Sequence, residues 1–160
     1  MQLQSTHNGA VKYGLRYTDI ERYKVLYVNV PAIDAGNQQN IYLPFDQDLN
    51  NAIVTGIRLI TGGETAPSGV WPSSINLTSI PTPAAANKFC LTIVNRDGFK
   101  VWDRFPCYWL INTSTINQDV YVNCQFTFNP GKSFISYFDT TQAYGKRIFP
   151  IAFRYKSLIL

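Results

Sequence analysis

The chain has 160 residues, a net charge of +4 and a charged fraction of only 15%, against about 25% in an average domain. That length gives one domain able to bury roughly 70% of its unfolded-chain surface, and 46% apolar residues, with 10 Tyr, 10 Phe and 3 Trp, supply its core. The composition excludes a helical membrane span, since no apolar run reaches about 18 residues. The polar opening Met1–Ala10 does not read as a signal peptide, so none is expected. His7, the single histidine, lies in that opening, which leaves no rigidly held base for a Ser–His–Asp or Cys–His site.

In chain order, residues 1–14 read as a polar arm and residues 15–160 as a β-sandwich domain. Thr18 and Glu21 have capping-box spacing, which allows one helical turn within Leu15–Tyr23. Tyr23–Val30 is the first strand, with Leu26, Val28 and Val30 on one face. Asn40–Phe45 is a short second strand and Ala52–Ile60 a third. Between them, Asp46, Asp48 and Asn50 match the first alternating positions of a calcium loop. The match ends there: Asn51 stands where the loop needs Gly and Ile57 where it needs Glu. These residues read as turn chemistry, and no metal or other cofactor is expected.

Residues 61–87 change character, with Gly62, Gly63, Pro67, Gly69, Pro72, Pro81 and Pro83. They read as a long loop, interrupted by a short strand around Val70–Leu77. Trp71 and Pro72 in this loop are candidate interface residues, because a tryptophan in a loop offers a large amphipathic contact. Lys88–Asn95 is the next strand, and Arg96-Asp97-Gly98 turns it into Phe99–Asp103. Arg104–Asn112 reads as a further strand.

Asp119–Phe128 carries the clearest pattern. Val120, Val122, Cys124, Phe126 and Phe128 alternate with Tyr121, Asn123, Gln125 and Thr127, which puts Cys124 and Phe126 toward a core. It is the stretch around which the other strands are expected to gather. Phe134–Phe138 and Arg147–Lys156 complete the set, the latter with Phe149, Ile151, Phe153 and Tyr155 on one face. The apolar tail Leu158, Ile159 and Leu160 is the second interface candidate. Lys146, Arg147, Arg154 and Lys156 read first as a solvated basic face, with contact to packaged nucleic acid as the weaker alternative. Cys90, Cys107 and Cys124, odd in number and set in apolar runs, read as buried reduced thiols.

About eight strands with little helix predict an all-β, single-domain antiparallel β-sandwich or barrel, and periodicity leaves up-and-down, Greek-key and jelly-roll orders open. Tyr27-Val28-Asn29-Val30-Pro31, Ile41-Tyr42-Leu43-Pro44 and Ile53–Leu59 resemble the openings of small virion proteins of tailless icosahedral phages. Ile151–Lys156 resembles their closing strand. The resemblance implies that the β-sandwich is of the jelly-roll type, with about eight strands, and that the chain is a capsid subunit without catalytic residues, located in the virion. Its partners would be copies of itself, for instance in a pentameric vertex, and other capsid proteins. The competing expectation is a carbohydrate- or receptor-binding sandwich such as a spike or head-fibre protein, with a hydrolase ranked last.

Overall fold

A computed structural model describes residues 16–34, 36, 39–61, 80–111, 121–137 and 147–159. The polar arm, Trp71, Pro72, Leu160 and most of the long loop lie outside the described residues. What is described is an antiparallel β-sandwich. Its strands are β1 (Arg16–Tyr17), β2 (Arg22–Val30), β3 (Gln39–Tyr42), β4 (Ile53–Leu59), β5 (Phe89–Val94), β6 (Lys100–Pro106), β7 (Val122–Thr127), β8 (Phe134–Tyr137), β9 (Arg147–Lys156) and β10 (Leu158–Ile159). One short helix, α1 (Pro83–Ala86), precedes β5. Among the described residues, no helix is long and apolar enough to cross a membrane.

The first sheet has the order β2-β9-β4-β7 and the second β3-β8-β5-β6. The pairings β2·β9, β3·β8, β4·β7 and β5·β6 join the first long strand to the last, the second to the next-to-last, and so inward. The chain is thus one long antiparallel ribbon folded back at the β5–β6 hairpin. It closes on itself through two further pairings, β4·β9 and β5·β8. That hairpin is made where the sequence places it. Asn95 Oδ1 accepts from the backbone N–H of Asp97 (3.0 Å) and Phe99 (2.9 Å). Gly98 supplies a φ of 89°, which a side chain would strain.

The inner faces interdigitate as one core, with Val28, Val30, Val54, Ile57, Leu91, Ile93, Ile135, Phe128, Phe149 and Phe153 all essentially inaccessible. The strand at the centre is β9 rather than β7. β9 lies between β2 and β4 and is buried over most of its length, while β7 is a sheet edge whose Val122, Cys124 and Phe126 are half-buried against the core. Pro150 is tolerated in this central strand because its N and O point toward β4, past that strand's last residue. There its carbonyl accepts from Ile60 N at 3.0 Å and no N–H is needed.

Two expectations are corrected. Thr18–Ile20 is not a helical turn: Thr18 N donates to Ser157 O (2.9 Å) and Ser157 N to Thr18 Oγ1 (3.2 Å), so the capping hydroxyl serves the C-terminal segment instead. Nor does a strand run through Arg104–Asn112. The β5·β6 ladder ends at Pro106, and Cys107–Leu110 forms a 3-10 helix with Cys107 and Leu110 buried. Spacing of three, not two, governs that stretch.

Candidate functional site

Four of the nine exposed large apolar side chains of the described residues come from one stretch, Phe99, Val101, Tyr108 and Trp109. The stretch comprises β6 and the 3-10 helix that follows it, and it has this character because β6 is a sheet edge. Its inward neighbour is the edge strand β7 of the other sheet, and the two are joined by rings rather than by a ladder. Trp102 meets Phe126 edge-on at 5.8 Å, stacks on Phe105 at 4.3 Å, and Phe105 in turn meets Trp109 edge-on at 5.6 Å. On the core side Phe126 touches Phe128 (6.4 Å), which stacks on the buried Phe153 (5.0 Å).

An aromatic file therefore runs from the centre of the sandwich to Trp109, whose side is 64% exposed. Each ring is braced by the next, so Trp109 is held on a rigid support while its outer face stays open. Preorganised aromatic surface of this kind is what interfaces use, because little entropy is lost when it is covered. Among the described residues, β6 and β7 each have a ladder partner on one side only, and a sheet edge is where an added strand or subunit can pair.

The chain termini form a second surface. β1 and β10 pair as Arg16 with Ile159 and Tyr17 with Leu158, continuing outward from the β2·β9 ladder. The apolar tail thus lies on the chain's own N-terminal strand, with Leu158 half-buried and Ile159 still 38% exposed. Ile20 beside this ribbon is 73% exposed.

The polar groups singled out in the sequence are occupied. Lys24 Nζ lies 2.7 Å from both Asp46 Oδ2 and Asp48 Oδ2. Asp46 Oδ1 meanwhile accepts from the backbone N–H of Asp48 (3.0 Å) and Leu49 (3.1 Å). Hydrogen bonding to Lys24 holds the Asp48 carboxyl below the usual carboxylate range, and the two aspartates push the Lys24 ammonium up. The pattern that resembles a calcium loop is thus a turn closed by a lysine.

Arg154 leaves the expected solvated basic face. It is buried, donates to Asn123 Oδ1 (2.7 Å), Thr55 O (3.0 Å) and Thr55 Oγ1 (3.1 Å), and stands 3.4 Å from Glu21 Oε2. The physical reason is that residues across the outer face of the first sheet supply acceptors for its Nε and Nη2. The thiols are free and inert. Burial pushes Cys124 up to about 12 and raises Cys107 and Cys90, the last against the opposing charge of Arg104.

The aromatic file was only partly visible in sequence. Trp102 and Trp109 are recognisable as core or interface residues, but which of them faces out depends on the 3-10 helix. Compared with protein-family models, curated proteins and solved structures, the chain finds no match.

Proposed function

We propose that this chain is a structural virion protein, a non-enzymatic capsid subunit that self-assembles edge to edge. The observation that carries the reading is the strand order. Eight strands paired first with last and second with next-to-last support a jelly-roll reading, an architecture used by viral capsid domains. The low charge and the braced aromatic edge support it, since a subunit shell needs a surface that does not repel its copies and apolar groups for them to cover. A ring of identical contacts, such as a pentamer, would cover the β6 and β7 edges repeatedly and bring neighbouring capsid proteins against the remaining faces.

The test is the size of the purified full chain by light scattering, wild type beside Trp109→Ser. The expected result is a closed oligomer for the wild type. The variant should be smaller or dissociate more readily, with the far-ultraviolet circular dichroism of a folded sandwich because Trp109 is mostly outside the core. A monodisperse wild-type monomer that binds glycans, and loses that binding in Trp109→Ser, would replace this reading with the carbohydrate-binding one, in which Trp109 is a stacking platform.

A further inference from the structure

The outer face of the second sheet holds a concavity of about 320 Å³ lined by Asn40, Thr92, Lys100, Asp103, Arg104, Phe134 and Ser136 among others. That volume is within the range of small-ligand sites, at roughly 300–1,000 Å³. Its wall is made by an irregularity in β6. Leu91 pairs with Phe105 and Ile93 with Trp102, so Asp103 and Arg104 both stand opposite Thr92. Such a bulge takes its left-handed residue cheaply when that residue is glycine. Here it is Arg104, at φ 57°, held by its own N–H donating to Thr92 Oγ1 at 3.2 Å. A long cationic side chain is kept where the backbone favours none, and strained positions of this kind cluster at binding sites.

The remaining groups are biased toward donation. Within the described residues neither Lys100 nor Arg104 is in an ion pair. Ser136 Oγ donates to Asn40 Oδ1 at 2.7 Å, which orients the Asn40 amide so that its Nδ2 is free to donate outward. Asp103 offers acceptors on the same rim, leaving one positive charge in excess. The Phe134 ring, set against Tyr42 at 5.4 Å, gives an apolar wall.

We propose that this concavity binds an anionic sugar, its carboxylate or phosphate taken by Lys100 and Arg104 and its hydroxyls by Asn40, Ser136 and Asp103 against the Phe134 ring. The guanidinium and ammonium provide charge-assisted hydrogen bonds, the strongest available to an oxyanion. The carboxylate, the amide and the ring provide what a hydroxylated ring needs on its other side. The site goes beyond the assembly reading and does not depend on it, because every lining group comes from one sheet of one chain.

The test is calorimetric titration of the full chain with N-acetylneuraminic acid, with glucose 6-phosphate, and with glucose and inorganic phosphate as controls. Binding of one or both acid sugars is expected, weakened by added salt, with glucose and inorganic phosphate weaker by roughly tenfold or more. The two acid arms decide between a carboxylate and a phosphate. Arg104→Gly and Lys100→Gln should each weaken binding by a similar factor of about ten. Arg104→Gly should also keep or raise the melting temperature, because glycine removes the backbone strain. The proposal is overturned if neither acid sugar binds, if inorganic phosphate or glucose binds as well as the acids, or if both variants bind like the wild type.

Discussion

Arg154 shows how one residue can escape a reading of its neighbours. Beside Arg147 and Lys156 it looks like part of a charged surface, and alternation correctly puts it opposite Phe153. What the local sequence omits is that Glu21, Thr55 and Asn123, from distant segments, meet on that outer face. A partial clue stands in the strand itself: Pro150 and Ala152 share Arg154's face, and neither is suited to a solvated one. Gly56 makes the arrangement fit. A Cβ there would lie 2.8 Å from Tyr121 Cβ and 3.1 Å from the Arg154 guanidinium. Gly56→Ala is therefore expected to destabilise by about 1–3 kcal/mol, the overpacking range, and a urea titration measures it. The same change at an open surface glycine would act only through the backbone. A stable Gly56→Ala protein would mean that the Tyr121 segment and the guanidinium both move aside without loss.

At the scale of elements, alternation locates the strands well and their rank poorly. Arg147–Lys156 is found to the residue, and the buried and exposed faces of β2 and β7 are assigned correctly. Yet the clean inside–outside alternation of β7 reports only a wetted outer face and not the strand's place in the sheet, which is an edge. The central β9 is covered on both faces and so loses that contrast. The energetic consequence separates Phe128 from Phe126. Phe128→Ala should cost about 3–5 kcal/mol, as for a fully buried ring, and Phe126→Ala roughly half of that, since the ring is half-buried. Equal losses in chemical denaturation would show that the edge is as rigidly packed as the centre.

The turn between β3 and β4 makes a second element-level case. Asp48, with its pKa lowered by Lys24, contributes stability that is present above the ordinary carboxylate range and lost as pH falls through its lowered value. Lys24→Met should accordingly flatten the acid limb of melting temperature against pH, while EDTA at neutral pH leaves the wild-type melting temperature unchanged, because the Lys24 ammonium already stands between the two carboxylates. A calcium-restored loss of stability in EDTA would show instead that a metal displaces Lys24.

For the molecule as a whole, the pairing of first strand with last was beyond the sequence, because periodicity fixes which side chains face inward and says nothing of which strands are neighbours. The topology puts both ends of the described chain at one place, as the β1·β10 ribbon. This gives the apolar tail two tasks. Leu158 is half-buried on the chain's own first strand, while Ile159 and Ile20 stay open beside it. A ribbon of two-residue strands is too short to be stable by itself, so it is held by the Thr18–Ser157 hydrogen bonds and by its continuity with the β2·β9 ladder. Deleting residues 157–160 should leave the far-ultraviolet circular dichroism of the sandwich intact, because the β2·β9 ladder ends at Tyr155 opposite Arg22. Amide exchange at Tyr17 should become fast while Val28 and Val30 stay protected, and the oligomer measured by light scattering should shrink. If exchange at Tyr17 quickens but the oligomer is unchanged, the ribbon serves only its own chain, and the subunit contact lies at the Trp109 edge alone. If the whole sandwich loses protection, the ribbon is part of the cooperative fold, and the half-buried Leu158 matters more than its exposure implies.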